Sequence, residues 1–167
     1  GSTSTIKLPA TSVTVIQNTN YPWDGKVELT VNPIKQKTVF ALHIRIPGWA
    51  VNKPSPGDLY KDENKSSSPV TLLLNGKPVK YEIQKGYAVL NRIWNKGDKI
   101  ILDLPMDIKK VDANDSVKAD KNRFALQMGP IVYCLESPDN KDAAVMNIVV
   151  DKNAAVQSIY KPDMLKG

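Results

Sequence analysis

Two side chains in this sequence have intrinsic reactivity suited to catalysis near neutral pH, His43 and Cys134, and each is the sole residue of its type. A histidine works as a general base when a carboxylate or hydroxyl partner stands within reach. His43 has no nucleophile signature or paired carboxylate beside it in sequence. It falls on the face of an alternating stretch opposite Phe40, Leu42 and Ile44, so it reads as a surface or structural residue. Cys134 lies between Tyr133 and Leu135 and is expected to be buried and inert, because a thiol becomes nucleophilic only where an electropositive neighbour lowers its pKa. One cysteine cannot form an internal disulfide, and one cysteine with one histidine falls short of a zinc-binding set. Neither a metal site nor a cofactor is expected in this chain. Asp24, Glu28, Asp98, Asp103 and Glu136 would form a glycosidase acid and base only if two of them stood roughly 5 to 9 Å apart in a cleft. Turn chemistry alone accounts for Asp24-Gly25 and Gly97-Asp98. No catalytic residue is assigned.

The three tryptophans carry more information. Trp23 follows Tyr21-Pro22, Trp49 follows Ile46-Pro47-Gly48, and Trp94 stands just before a turn, so all three sit at the edges of elements. Aromatic rings at edges stack on sugars, cap the open ends of a core, or pack against a neighbouring domain. Trp49, Tyr60 and Trp94 are the candidates for sugar stacking; Tyr21, Trp23 and Trp49 are the candidates for interdomain contact. The charge balance, 23 Lys+Arg against 17 Asp+Glu for a net of +6, raises nucleic acid as a partner. The basic residues are mostly lysines spread singly, and only Arg45, Arg92 and Arg123 offer a planar fork for phosphates or guanine edges. Nucleic acid is therefore set aside. No apolar run approaches the roughly 20 residues needed to span a bilayer, and a membrane partner is set aside too.

The elements that must position these residues are strands. Val27, Leu29 and Val31 alternate with polar residues, and so do Phe40, Leu42, Ile44 and Ile46 up to Pro47-Gly48. Leu72 to Leu74, then Asn75-Gly76, then Val79, Tyr81 and Ile83 read as a hairpin with a loop of two or four residues, since Asn-Gly readily takes the positive φ angles of a type I′ turn. Gly86 to Ile93, the turn Asn95 to Asp98, and Ile100 to Leu104 read as a second hairpin. Phe124 to Met128 and Ile131 to Leu135 flank Gly129-Pro130, and a last extended stretch is expected over Val145 to Val150. The segment from Asn153 to Tyr160 fits a helical turn or a strand.

Short strands with turn signals every 8 to 12 residues predict an all-β fold, an antiparallel β-sandwich of two packed sheets, jelly-roll-like, with little helix. The sandwich is expected over residues 11–140. Residues 1–10 are expected as a leader or linker, with Gly1-Ser2 an expression scar, and residues 141–167 as a tail that begins a following domain and packs back. The longest break, Val51 to Pro69, is a loop of functional length, with Leu59 and Tyr60 placed to pin it to the body.

Six motifs come in a specific order: Tyr21-Pro22-Trp23-Asp24-Gly25, Arg45-Ile46-Pro47-Gly48-Trp49-Ala50, Leu74-Asn75-Gly76-Lys77-Pro78-Val79, Lys85-Gly86-Tyr87-Ala88-Val89-Leu90 with Trp94 and Gly97-Asp98, Leu104-Pro105-Met106, and Met128-Gly129-Pro130-Ile131-Val132-Tyr133. Together, over roughly Thr11 to Glu136, they resemble glycoside hydrolase family 127, the β-L-arabinofuranosidase type, in the β-sandwich that follows its catalytic domain. The loop from Val51 to Pro69 resembles one found in a subset of that family. The resemblance implies a parent enzyme with an (α/α)₆ barrel upstream, where a zinc-held cysteine cleaves arabinofuranosides with retention. It also implies an exported parent that meets plant or glycoprotein glycans. The family's zinc ligands are several cysteines and a glutamate of the barrel; Cys134 stands alone in a sandwich motif and matches none of them.

The expected function is a noncatalytic accessory sandwich packed on the catalytic barrel of its own parent chain. The rival expectation is a carbohydrate-binding module for plant or glycoprotein glycans. An independent glycosidase with a carboxylate pair ranks last.

Overall fold

The structure, a computed structural model, describes residues 1–142, 144–151, 153–161 and 163. It is all-β and sandwich-like, and among the described residues thirteen strands form three antiparallel sheets. The first sheet has six strands in the order β1 (Ser2–Leu8), β2 (Thr11–Thr19), β3 (Lys26–Pro33), β10 (Asp98–Asp103), β6 (Thr71–Leu74) and β7 (Lys77–Pro78). Facing it is a three-stranded sheet of β4 (Thr38–Arg45), β9 (Tyr87–Trp94) and β8 (Glu82–Gln84). The strands β3 and β10 alternate as their sequences predict. In β3, Leu29, Val31 and Pro33 are buried, and in β10 Ile100 and Leu102 are buried between exposed Lys99 and Asp103. These residues meet Ile44, Ala88, Leu90 and Trp94 of the smaller sheet in one apolar core.

Two expected hairpins are rearranged. The turn after Trp94 does not join paired strands: β9 pairs with β4 and β8, whereas β10 pairs with β3 and β6, so residues 95–97 arch from one sheet to the other. The reason is that both strands carry a full inward apolar face, and such faces are buried best against each other across the sandwich. The stretch Val79 to Ile83 divides for the same purpose. Asn75-Gly76 is a two-residue loop with φ of 49° and 79°, as a type I′ turn requires, and it pairs Leu74 with Lys77. The chain then crosses to the smaller sheet, where β8 joins β9 through a second such turn, Lys85-Gly86, with φ of 50° and 81°.

The third sheet has the order β13 (Ile131–Tyr133), β12 (Phe124–Met128), β11 (Ile108–Ala113) and β5 (Tyr60–Asp62). The sandwich expected over residues 11–140 is thus corrected at both ends. Residues 2–8, expected as leader, are β1, paired with β2 along its whole length. Residues 60–62 and 108–133 build a separate sheet. Val145 to Val150 holds a 3-10 turn over Val145–Asn147 instead of a strand, and residues 154–160 are neither helix nor strand. Of the expected tail, Ala143, Lys152, Pro162 and Met164 to Gly167 lie outside the described residues. Among the described residues no helix is long and apolar enough to cross a membrane.

Candidate functional site

One end of the sandwich gathers most of the motifs. Between β2 and β3 the chain makes a tight turn: Thr19 donates its hydroxyl to the Lys26 carbonyl at 2.7 Å and accepts from the Tyr21 amide at 3.0 Å. The Trp23 amide bonds the Asn20 carbonyl at 2.9 Å, and the Asp24 carboxylate accepts from the Lys26 amide at 2.9 Å. This wrapping turns Tyr21 and Trp23 outward, 40% and 53% exposed. Gly25 is required where it stands, because a Cβ there would run into the Leu104 carbonyl oxygen, whose own amide donates to Gly25 at 3.1 Å.

From β4, Pro47 leads into a 3-10 turn over Gly48–Val51 that buries Ala50 and leaves Trp49 half-buried. The Trp49 ring stacks on Tyr21, with centroids 6.5 Å apart and planes 25° from parallel. Gly129 lies close to both Met106 and the Trp49 ring, so a side chain at that position would displace the Met106 thioether. The chain also enters its first strand at this end, since Ser2 pairs with Gln17 two residues before β2 finishes. Of the interdomain candidates, Tyr21 and Trp49 therefore stack on each other, and Trp23 stands exposed in the same turn as Tyr21.

The opposite end is scaffolding. Asp98 is buried, with one carboxylate oxygen accepting from the Asn75 side-chain amide and the other from the Asn95 backbone amide, both at 2.9 Å. Asn75 in turn accepts from the Lys99 amide at 2.8 Å, and Asn32 from the Gly97 amide at 3.0 Å. These bonds fold the arch and the adjoining hairpin against each other and give each Asp98 carboxylate oxygen a donor.

Of the sugar-stacking candidates, Trp94 is corrected. It is 0% exposed, stacked against Phe40 at 5.6 Å, and its indole N–H donates to the Phe40 carbonyl at 3.0 Å, so no ring face is left for a ligand. Its place before a turn puts it at the lip of the core, and the large ring closes that lip. Trp49 has Tyr21 over one face. Tyr60 sits in β5, where its hydroxyl donates to Asp120 at 3.2 Å; that bond and the Asp120 charge raise its pKa. Cys134 is also corrected: it lies just past β13 and is exposed, 3.7 Å from a Glu136 carboxylate oxygen. The strand Tyr133 was expected to continue ends there, and the thiol leaves the sheet. The zinc that the resemblance implies for a parent barrel finds no fit here, because among the described residues no three His, Cys, Asp or Glu side chains converge. His43 is exposed on the outer face of β4 and meets Tyr87 edge to face at 6.2 Å, with the Arg45 guanidinium 5.2 Å from the same ring.

Sequence reasoning missed a buried polar cluster beneath the third sheet. Lys109 is 5% exposed, and its ammonium donates to Asn52 Oδ1 at 3.0 Å and to the Asn64 carbonyl at 2.8 Å. Both acceptors belong to the long loop, whose middle pairs as β5 with β11. Asn64 also bonds the Ile108 carbonyl and the Lys110 amide, and Ser67 donates its amide and hydroxyl to Asp107. Those two donors hold the Asp107 carboxyl below its ordinary value. Burial pushes Asp62 up, with the Lys109 charge pulling the other way. The loop is pinned by backbone: Leu59 accepts from Asn114 at 2.7 Å, and Tyr60 pairs with Ala113. The only signal in sequence was the parity that puts Lys109 on the same face as Val111.

Fold and site together define a β-sandwich with an appended sheet and an exposed aromatic end. Residues 2–106 match the family described as β-L-arabinofuranosidase, glycoside hydrolase family 127 middle domain, and residues 108–162 match the family 127 C-terminal domain. The chain belongs to glycoside hydrolase family 127. It is 37% identical over 135 residues to a non-reducing end β-L-arabinofuranosidase of Bifidobacterium longum subsp. longum, a match that covers 78% of this chain and 18% of the relative. A family 127 β-L-arabinofuranosidase from Geobacillus stearothermophilus T6 superposes with a TM-score of 0.81 at 35% identity, over 98% of this chain and 23% of that one. A second solved family 127 β-arabinofuranosidase gives a TM-score of 0.75 at 34% identity, over 82% and 21%. The chain thus spans about a fifth of the length of these relatives. The boundary between the two family matches falls at residue 107, after the last strand of the sandwich and just before β11; only β5 of the third sheet lies in the first match.

Proposed function

We propose that this chain serves a family 127 hydrolase of the β-L-arabinofuranosidase kind as a noncatalytic module, whose aromatic end docks on the catalytic barrel of the same parent chain. The observation that carries the reading is the grouping of Tyr21, Trp49, Met106 and Gly129 at one end, with Trp23 in the same turn as Tyr21 and both of those rings facing solvent. Exposed aromatics clustered at the end of a well-packed domain are the usual mark of an interface. A barrel that precedes β1 in the parent joins the sandwich at this same end, which gives docking a short tether and a high effective concentration.

The test is Trp23→Ala in the full-length parent. A ring centred in a desolvated contact contributes on the order of 2 kcal/mol or more. The parent is expected to lose thermal stability and arabinofuranosidase turnover together, whereas the 167-residue chain, in which Trp23 is already solvated, keeps its melting temperature. Equal tolerance in both proteins would sink the docking reading. The 167-residue chain alone is expected to show no hydrolysis of arabinofuranosides.

A further inference from the structure

The six-stranded sheet is faced by only three strands, and the shortfall lies on one side. β4 is the last strand of the smaller sheet, so among the described residues its outer edge has no partner strand. Beside that edge the inward faces of β1 and β2 are open: Ile6 is 47% exposed, and Val15 is half-buried. With Leu42 and Leu104 they floor a groove of about 470 Å³, rimmed by Gln17 and His43.

We infer that this groove receives an extended strand contributed by the parent chain from outside residues 1–167, paired to the free edge of β4; the inference rests on the proposed role as a module of a longer hydrolase. An unpaired edge alongside an apolar trough is what strand addition fills: the edge supplies backbone hydrogen bonds and the trough takes alternate side chains. Strands lie about 4.8 Å apart, so a strand added to β4 sits directly over the uncovered inward face of β2 and β1. The relatives place roughly four-fifths of their length outside the matched region, so the parent has ample chain to provide it. The groove is also continuous with the docking end, because Tyr21 and Pro47 line both. The incoming strand carries small or branched apolar residues at alternate positions toward Ile6 and Leu42, and polar residues on its other face.

Hydrogen exchange on the full-length parent tests this. The amides of β4 are expected to exchange as slowly as those of β9, its paired neighbour, and Ile6→Asp should speed β4 exchange at least tenfold while β9 stays protected. Ile16→Asp, on the opposite face of β2, should leave β4 unchanged. Fast exchange along β4 in the unmodified parent, or no response to Ile6→Asp, overturns the proposal. So does β4 protection that fades on dilution, which would mark a second copy as the occupant. If β4 exchanges fast while Trp23 is shielded, only the strand proposal fails; if Trp23 is solvated as well, the docking reading fails with it.

Discussion

The sandwich and the third sheet are built on opposite principles. Between its two sheets the sandwich buries an unbroken set of apolar side chains, from Val13 and Val31 to Trp94 and Ile100, and its buried Asp98 is bonded through both oxygens. The third sheet buries one large apolar residue, Val111, alongside Lys109 and Gln127. Val132, Tyr133 and Leu135 on and beyond its β13 edge remain exposed. The sandwich is held by removal of apolar surface from water, which is non-directional and collective. The third sheet is held by named donors and acceptors, many of them supplied by a loop that belongs to the sandwich. A region of the first kind supports itself; a region of the second kind depends on its clasp.

Substitutions can break or sharpen that contrast. The largest effect is expected from Trp94→Ala, which removes the largest fully buried side chain and opens the lip of the core, costing about 3–5 kcal/mol, read as a fall in the denaturant midpoint of the whole chain. The third sheet should unfold with the sandwich, because β5 and the Lys109 acceptors are carried by the sandwich loop. A smaller and local effect is expected from Lys109→Met. The methionine fills the space but leaves the Asn64 carbonyl without its Lys109 donor and Asn52 Oδ1 with the Ser66 amide alone, at about 1–3 kcal/mol. Amides of β11 and β12 should exchange faster while those of β9 and β10 do not change. Uniform acceleration across both regions would abolish the distinction.

The smallest effect concerns acid. Asp107, held below its ordinary pKa by Ser67, adds stability that is complete above about pH 4, the ordinary carboxylate value, and is lost as pH falls through its folded pKa. Because the group is largely solvated, Asp107→Asn should cost only about 0.5 kcal/mol at pH 7, with the deficit vanishing in acid. Asp62 acts in the opposite sense: burial disfavours its charged form, so its ionisation opposes folding and protonation relieves the strain.

Which parts were legible in the sequence follows the same division. Alternation identified β3, β4 and β10 with the right faces inward, because a strand buried on one face writes its burial as period two, while β9 was read only as an extended run. Pairing across the core was not legible: Asn95 to Asp98 has the residues of a hairpin turn, and only the inward faces on both sides require an arch. β11 went unread because Ile-Lys-Lys-Val-Asp-Ala puts a lysine on each face, one bonded inside the clasp and one, Lys110, lying 5.4 Å from the Phe124 ring. At the aromatic end, Tyr21, Trp23 and Trp49 stand out by their turn-flanking positions, and the structure adds that Tyr21 stacks on Trp49 while Trp23 is exposed in the same turn as Tyr21. Trp94 shares the same local pattern and is interior, since position beside a turn does not reveal which way a ring points.

The strand order also governs when the fold can exist. β10 lies between β3 and β6 in the six-stranded sheet, so on a growing polypeptide the two flanks of that sheet, β1–β3 and β6–β7, have no shared seam until residue 103 has been made. Early meander and later hairpin must each wait, apolar faces wet, for one central strand to arrive and zip them together, and the sandwich forms late and all at once.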